Sequence, residues 1–218
     1  MQFDIITIFP DIFDSYINKG MIRLAQEKKK VKFKFHDLRE YAVDKYGTID
    51  DRPFGGGAGQ VFMIEPLTKA LKKIRKKKNS KVILLSAKGK VWSQSKAQSF
   101  SKLDQIIFIC PRYEGVDERI KEFIDEEISI GEFILTGGEL GALTIIDSVT
   151  RLLPGVLGGS DSLLEESHST KGYLEYPQYT RPEIFKYKSK KMAVPKVLLS
   201  GHHANINEWR KKHSKFND

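Results

Sequence analysis

Cysteine is nearly absent from this sequence, and long apolar runs are missing altogether. Cys110 is the only cysteine among 218 residues, which excludes an intramolecular disulfide and a thiolate metal cluster within one chain. No apolar run approaches the roughly 20 residues that a membrane-spanning helix needs. Asp4, Asp11 and Asp14 stand near the N-terminus without a basic leader, so we expect no secretion signal. These absences predict a protein of the reducing cytoplasm with no membrane partner.

Two phosphate-binding fingerprints are also missing. The sequence contains neither G-x-G-x-x-G nor G-x-x-x-x-G-K-[ST], the marks of dinucleotide-binding folds and of P-loops. Their absence argues against a kinase, a GTPase and a dehydrogenase. No cluster of His, Cys, Asp and Glu at metal-ligand spacing is visible either, so the sequence predicts no resident metal site.

Acidic residues are outnumbered by basic ones. The 37 Lys and Arg residues face 28 Asp and Glu residues, which gives a net charge of +9. This balance favours a polyanionic partner such as nucleic acid, although a solvated basic surface explains the same charge. The stretch from Lys69 to Lys81 holds eight basic residues and leaves the same two interpretations open.

The most informative positive feature is the spacing of three apolar runs. They end at Leu85, Cys110 and Leu135, 25 positions apart both times, and each is followed by a polar loop that contains glycine. A short apolar run, a glycine turn and a helix-like stretch repeating at this interval predict parallel strands joined by helical crossovers. Parallel sheets bind ligands beyond the carboxyl ends of their strands. The spacing therefore predicts an α/β fold with a ligand site where the three runs end.

Apolar periodicity predicts further elements around these runs. Residues 3–9 predict a buried strand, followed by a helix from near Asp11 to about Gln26, and residues 31–35 alternate as in a strand near the sheet edge. Further helices are predicted from about Pro66, after the N-cap Ser93, over 116–124 and over 140–151. Cys110 is predicted to be a core residue.

Two stretches predict loops. Residues 55–59 contain four glycines in five positions, which is incompatible with a stable helix or strand. From Pro154 to Thr180 the sequence is rich in glycine, serine and charge and shows no period, which predicts a mobile linker. Unstructured connections beyond about 12–15 residues are uncommon in compact domains, so a functional role is expected for it. A final basic helix carries Ile206 and Trp209.

Five segments carry a family resemblance. They read DDRPFGGG at 50–57, RYEGVDER at 112–119, SIGEFILTGGEL at 129–140, PGVLG at 154–158 and YTRP at 179–182. In this order, and with a likeness that runs from Met1 to about Arg210, the chain resembles the bacterial tRNA (guanine-N1)-methyltransferases of the TrmD family.

The resemblance implies a SPOUT-type fold, in which the C-terminal part of a parallel sheet domain is tied in a deep trefoil knot, with a small helical C-terminal domain. The implied boundaries are a knotted α/β domain that binds S-adenosylmethionine at 1–158, a flexible interdomain linker at 159–178 and a short helical tRNA-binding domain at 179–218. The resemblance also implies a homodimer whose active site lies at the subunit interface, completed by the second subunit's linker.

The resemblance places the cofactor contacts at the ends of the three runs. The implied S-adenosylmethionine-binding residues are Leu85, Ser86, Pro111, Tyr113, Glu114, Gly115, Ile130, Gly131, Glu132, Phe133, Ile134, Leu135, Gly138 and Gly141. Glycines here let the backbone approach a flat ligand closely, although each of them alone is also an ordinary turn residue. Pro111 stands where the family usually has glycine, and it leaves a carbonyl for the cofactor. The implied tRNA contacts are Asp51, Arg52, Glu114 and Arg181.

The implied reaction is methyl transfer to N1 of the guanine at position 37 of tRNA, next to the anticodon. N1 must lose its proton to become a good nucleophile, so a carboxylate base is expected, and an arginine would stabilise the charge that spreads to O6. The resemblance matches Arg151 to the arginine and aligns Glu166 with the base. The family reads Glu-Asp-Ser-Phe where this chain reads EESH at 165–168, so Asp161 is a rival base and Glu165 the next.

Two alternatives and one cofactor question stay open at this point. A sister knotted methyltransferase would act on another RNA position, but Arg151 paired with a linker carboxylate argues against an acceptor that needs no base. A catalytically impaired RNA-binding relative is the second alternative, motivated by Glu166 and by the short C-terminal tail. The resemblance also makes a Mg²⁺ requirement a hypothesis.

Overall fold

The computed structural model describes residues 1–157 and 166–216, and the chain divides into two compact units, Met1–Gly158 and Gly159–Asp218. The first unit is a mixed α/β fold around a parallel sheet. The second is smaller and combines short helices with two-stranded sheets. No helix in these ranges is long and apolar enough to cross a lipid bilayer.

Seven strands belong to the first unit. They are β1 (Gln2–Thr7), β2 (Lys32–Asp37), β3 (Asp50–Asp51), β4 (Val61–Phe62), β5 (Ser80–Val91), β6 (Gln105–Ile109) and β7 (Glu126–Ser129). Five of them form one sheet in the order β2-β1-β6-β5-β7, and every neighbouring pair is parallel. β3 and β4 form a separate antiparallel pair. The predicted parallel sheet is therefore confirmed, and so is the position of β2 at its edge.

Helices cover both faces of this sheet. They are α1 (Asp14–Ile17), α2 (Gly20–Glu27), α3 (Ile64–Lys73), α4 (Gln94–Phe100) and α5 (Glu139–Thr150). Successive side chains of a strand point to opposite faces, and the buried apolar residues accordingly form two clusters. One cluster joins Phe108 of β6 to Ile145 of α5, and the other joins Ile107 of β6 to Leu67 of α3. Cys110 is fully buried in the first cluster, as predicted, and burial raises the pKa of its thiol.

The ends of two strands differ from the prediction. The third apolar run stops being a strand at Ser129, and 130–138 is irregular, because its apolar residues line a pocket and do not continue the sheet. The strand before it continues past the loop predicted after Leu85: β5 shifts register between Leu85 and Lys90, and both residues pair with Ile128. The second pairing of β5 with β7, at Lys90, requires glycine at position 89, because a Cβ there would lie 2.6 Å from the carbonyl carbons of Glu127 and Ile128.

Two predicted helices were also wrong in part. The helix expected from Asp11 to Gln26 is divided into a 3₁₀ turn, α1 and α2, and the last of these begins at Gly20, whose φ of 54° breaks the helical path. The stretch expected as a helix over 116–124 is a 3₁₀ helix, Glu118–Phe123. The N-cap Ser93 is confirmed, because its hydroxyl accepts a hydrogen bond from the amide of Lys96.

The second unit contains more strand than the helical domain implied by the resemblance. Its elements are β8 (Tyr173–Leu174), β9 (Ile184–Tyr187), β10 (Lys190–Ala193), α6 (Lys196–Leu199), α7 (His203–His213) and β11 (Lys215–Phe216). β9 pairs antiparallel with β10, and β8 with β11. Within the stretch predicted as a linker, the described residues from Glu166 onward therefore include one short strand.

Asp4 is a buried carboxylate at the centre of a hydrogen-bond network. It is 1% exposed and accepts hydrogen bonds from Gln2 and Gln105 at 2.6 and 2.7 Å, while one of its oxygens lies 2.9 Å from Nε2 of His36. Burial favours the neutral acid, but the hydrogen bonds from His36, Gln105 and Gln2 outweigh it and lower the pKa of Asp4 below 3.8. The ionised carboxylate therefore stabilises the fold.

Replacing Asp4 by asparagine is expected to lower the free energy of unfolding by about 1–3 kcal/mol, because buried donors lose their acceptor. A group with a lowered pKa stabilises the fold above its unfolded pKa and loses that contribution as the pH falls through its folded pKa. The difference between wild type and D4N should therefore shrink on acidification below about pH 4. Urea titrations at several pH values measure it, and a difference independent of pH would contradict this account.

Candidate active site

A pocket of about 320 Å³ opens at the carboxyl ends of β6 and β7 and beside residues 84–88 in the middle of β5. This volume lies at the lower end of the range for small-molecule sites, about 300–1,000 Å³. Of the cofactor residues implied by the resemblance, all but Glu132 line it: Leu85, Ser86, Pro111, Tyr113, Glu114, Gly115, Ile130, Gly131, Phe133, Ile134, Leu135, Gly138 and Gly141. The structure brings these residues together, and their roles stay predictions.

Gly138 lies where the pocket wall packs closely against the ends of two neighbouring loops. A Cβ at this position would lie 2.8 Å from Cα of Cys110, 2.9 Å from Cδ of Pro111 and 3.0 Å from Cβ of Leu85. The Gly138 amide also donates a hydrogen bond of 2.9 Å to the carbonyl oxygen of Pro111. That carbonyl, expected to be left for the cofactor, is thus already in use, and one lone pair stays available to a ligand.

A buried acid and an arginine connect the pocket loops to the sheet. Glu139 is 1% exposed, accepts a hydrogen bond of 2.7 Å from Thr7 and forms an ion pair with Arg112, whose Nε lies 2.9 Å from Oε2. These two atoms do not meet hydrogen-bond geometry, and neither has a hydrogen-bond partner within 1–157 and 166–216. The Arg112 guanidinium also lies 4.8 Å from the ring centroid of Phe9. The loop after β6 is therefore fixed against β1 and α5.

The outer wall of the pocket carries a short chain of charges. Nζ of Lys121 lies 2.5 Å from a carboxylate oxygen of Glu118 and 3.2 Å from one of Glu127. The hydrogen bond to Glu118 is the main reason why the pKa of Lys121 is raised, and the same contact lowers the pKa of Glu118. Lys121 and Glu118 therefore stay charged near neutral pH, and the three side chains form a polar rim around apolar walls.

The glycine-rich loop lies against the loop after β6. The amide of Glu114 donates to the carbonyl of Gln60 at 3.0 Å, and the amide of Phe62 donates to the carbonyl of Gly115 at 2.9 Å. Asp51 and Arg52 stand at the other end of this glycine-rich segment, both exposed. Two of the motifs in the sequence are thereby joined at one side of the pocket.

Neither predicted catalytic residue is among the residues that line the pocket. Arg151 follows the last residue of α5 and is partly buried, and it lies about 15 Å along the helix axis from Gly141, which lines the pocket. Glu166 belongs to the second unit, where its backbone carbonyl accepts a hydrogen bond of 3.0 Å from Ser169. Arg181 is exposed in the same unit. The rival bases Asp161 and Glu165 lie outside the described residues.

Several pocket residues escaped sequence reasoning. Ala87 and Lys88 were assigned to a loop but to no role, and Lys121 and Glu127 were not singled out. The signal that could have indicated Glu139 is a glutamate directly after two glycines at the start of an apolar helix, where an acid stabilises the helix N-terminus. In 1–157 and 166–216, no three or more His, Cys, Asp or Glu residues are grouped so as to hold a metal ion.

Comparison with known proteins gives a consistent picture. The family model described as tRNA (Guanine-1)-methyltransferase TrmD matches residues 1–217. Three curated relatives are each named tRNA (guanine-N(1)-)-methyltransferase. The protein of Dictyoglomus turgidum is 49% identical over 97% of this chain and 84% of its own length. That of Clostridium botulinum strain Hall is 48% identical over 98% and 87%, and that of Clostridium novyi 47% over 97% and 85%.

Identity at this level over almost the whole of both chains, together with a family match that covers every motif, leads to one conclusion. The chain belongs to the TrmD family of tRNA (guanine-1)-methyltransferases.

Proposed function

We propose that this protein transfers a methyl group from S-adenosylmethionine to N1 of the guanosine at position 37 of tRNA, next to the anticodon. The observation that carries the proposal is the name shared by relatives that are 47–49% identical over at least 97% of the chain. The pocket beside β5 and at the ends of β6 and β7 supports it, because all the cofactor residues implied by the family except Glu132 line it.

The pocket fits S-adenosylmethionine on two grounds. Leu85, Ile130 and Leu135 supply apolar walls for a flat ring, and the absence of a Cβ at Gly138 leaves space that any other residue would fill. Backbone groups around Gly115 supply polar atoms. When bound, the cofactor supplies a methyl group already activated by the positive sulfur. What the protein must add is orientation, water exclusion and management of one proton.

The proton is the one on N1 of guanine. We assign its removal to the Glu166 carboxylate, with Asp161 as the rival base and Glu165 the next, because a positioned carboxylate is the expected acceptor. We assign to Arg151 the stabilisation of the negative charge that develops on O6, because a guanidinium would stabilise this charge most in the transition state. Glu114, at the pocket edge, is suited to accept hydrogen bonds from the Watson–Crick edge of a base held out of the RNA stack.

A homodimer with the active site at the subunit interface completes the proposal. The distance of about 15 Å along α5 from Gly141 to Arg151 separates Arg151 from the pocket of its own chain, as expected if each pocket is completed by the second subunit. Ile134 and Leu140 are 83% and 57% exposed near the pocket, and an interface would bury them. The trefoil knot, the tRNA-binding role of the C-terminal unit and a contribution of Mg²⁺ belong to the same proposal.

The tRNA contacts are proposed at both units. Asp51, Arg52 and Glu114 belong to the joined motifs beside the pocket, and Arg181 belongs to the second unit. The arginines are the groups suited to phosphate, and phosphate contacts position an RNA without reading its sequence. A cytoplasmic location fits a tRNA substrate and is part of the proposal.

Replacing Gly138 by alanine is expected to weaken S-adenosylmethionine binding at least tenfold and to leave the fold intact. The added Cβ must displace the Cys110 backbone or Pro111, and either shift narrows the pocket. Isothermal titration calorimetry measures the affinity. Gly201→Ala is the control, because a Cβ there meets nothing within 4 Å. Unchanged affinity in G138A would contradict the assignment of this wall to the cofactor.

Methyl transfer itself is tested with labelled S-adenosylmethionine and two tRNA transcripts that differ only in carrying guanine or adenine at position 37. The proposal predicts incorporation into the guanine transcript alone. Incorporation into both would indicate a sister enzyme with another target, and incorporation into neither would contradict an enzymatic function.

A further inference from the structure

The hairpin β9–β10 in the second unit is exposed along its whole length. Every residue of both strands is exposed, so neither face of this small sheet is covered within the unit. Two-stranded hairpins are marginally stable on their own. Large exposed apolar patches on a protein surface usually mark a site of interaction. The exposed hairpin is therefore a candidate binding surface.

One face of the hairpin is a platform of large flat side chains. The register pairs Phe185 with Met192 and Tyr187 with Lys190, and residues that pair or that are two apart share a face. Phe185 and Tyr187 are 52% and 58% exposed. Nζ of Lys188, in the turn, lies 5.7 Å from the centroid of the Tyr187 ring. This face thus combines two aromatic rings, a thioether and positive charge.

The opposite face concentrates like charges. Lys186 and Lys191 pair directly across the two strands, an arrangement that is destabilising on its own. In the part of the chain that the structure describes, no ion pair involves these lysines or Lys188 and Lys190. Four unpaired lysines in six residues make the hairpin suited to a polyanion.

The hairpin rings differ from the other aromatic residues of the unit. Trp209 stacks on His213 with centroids 4.1 Å apart and contacts Tyr179 edge-on, and Tyr173 packs against Phe216. These residues form two small groups of rings in contact, although Tyr179 and Phe216 are themselves 49% and 72% exposed. Neither Phe185 nor Tyr187 belongs to any ring pair among the described residues. No other ring covers them among the described residues, so each can stack on a ligand, Tyr187 on the face away from Lys188.

We propose that the β9–β10 hairpin binds an unpaired segment of the tRNA, with bases stacked on Phe185 and Tyr187 and phosphates held by the surrounding lysines. Exposed aromatic rings interleaved with basic side chains are the combination by which single-stranded nucleic acid is bound without a sequence code. The lysines favour RNA over an apolar protein partner. The proposal rests on the proposed function only for the identity of the RNA as tRNA.

The test measures binding of the full chain to a tRNA transcript and to a short oligouridine, by fluorescence anisotropy at several salt concentrations. Phe185→Val with Tyr187→Thr removes both rings and keeps strand propensity. Affinity for both RNAs is expected to fall at least about fivefold, the lower bound for one lost stacking contact, with an unchanged salt slope. Lys186→Gln with Lys191→Gln should instead reduce the salt slope by about 1.4, the value for two phosphate contacts to a single strand.

Two controls separate stacking from damage to the fold. Tyr187→Phe keeps the ring and should bind as wild type does, and Ile184→Thr lies on the opposite face of the same strand and should also leave the affinity unchanged. Circular dichroism checks that each variant is folded. Equal affinity of the ring-free variant and the wild type would overturn the proposal, as would the absence of RNA binding by the wild type.

A second measurement distinguishes other occupants of the platform and isolates the proposed function. If removal of the rings changes the sedimentation coefficient without RNA, the platform is an interface between copies of the chain, and the RNA proposal is wrong. If oligouridine binding depends on the rings but no transcript is methylated, the hairpin inference stands and the proposed function fails. If the transcript is methylated and removal of the rings does not change RNA binding, the proposed function stands and the hairpin inference fails.

Discussion

Replacing Arg151 by alanine is expected to slow the methyl-transfer step by about 10²–10³-fold, the cost of removing one donor that stabilises developing charge. Affinity for S-adenosylmethionine should not change, because Arg151 is not among the residues that line the cofactor pocket. Single-turnover rates with saturating cofactor and tRNA measure the chemical step, and calorimetry measures cofactor binding. Arg151→Lys should restore part of the rate, since a lysine keeps the charge but not the planar fork of donors.

Arg23→Ala provides the matched control for the loss of an arginine. Arg23 forms an ion pair with Glu27 on the exposed side of α2, so its removal should leave the rate unchanged. If R151A lowered cofactor affinity and left the single-turnover rate intact, Arg151 would have to be reassigned from the chemical step to the cofactor site.

Replacing Glu166 by glutamine is expected to lower the single-turnover rate by about 10²–10⁴-fold, the usual contribution of a general base. Glutamine keeps the size of the side chain but cannot take the N1 proton, so tRNA affinity should be retained. Glu166→Asp installs the residue that the family pattern carries at this position and should stay active. Glu175→Gln, an exposed carboxylate of the same unit, is the control.

The same assay separates the rival bases. Asp161→Asn and Glu165→Gln are expected to retain activity close to wild type. Loss of turnover in D161N with activity retained in E166Q would assign the base to Asp161 and contradict the alignment of EESH with the family pattern. A misplacement of about 1 Å is enough to cost 10²-fold, so the outcome depends on how the linker seats the longer glutamate.

Much of the sheet could be predicted because its strands are buried on both faces and show as continuous apolar runs. The runs ending at Leu85 and Cys110 locate β5 and β6, and the alternation at 31–35 correctly placed β2 at the edge. The run ending at Leu135 misled, since Phe133, Ile134 and Leu135 line the pocket, and a wall for an apolar ligand has the same composition as a strand. An apolar run in a sequence does not show whether its side chains pack in the sheet core or face a ligand.

Contacts between segments that are far apart in the sequence could not be predicted from it. Thr7 and Glu139 are 132 positions apart, and nothing local to either indicates their hydrogen bond. The second pairing of β5 with β7, next to Gly89, depends on where the β7 backbone lies. The apolar periodicity of a sequence does not give that position. The predicted cofactor residues could be named in advance only through the family resemblance, because the spacing alone predicted a ligand site at one edge of the sheet without identifying the ligand.

The β9–β10 hairpin was missed for a different reason. Hairpin turns are usually signalled by Asn-Gly, Asp-Gly or another glycine pair, and this one contains Lys188 and Ser189. Lys188 adopts a φ of 53°, a conformation that turn residues other than glycine seldom take. The resemblance implied a helical domain over 179–218, and no turn signal in this segment indicated a sheet.

The identity and position of the modified nucleoside test the central claim most directly. After incubation with unlabelled S-adenosylmethionine, the guanine-37 transcript is digested and analysed by mass spectrometry, and the modified site is mapped by the arrest of reverse transcriptase. The account predicts N1-methylguanosine at position 37 and nowhere else. A methyl group on another atom or at another position, or no methylated nucleoside at all, would contradict it.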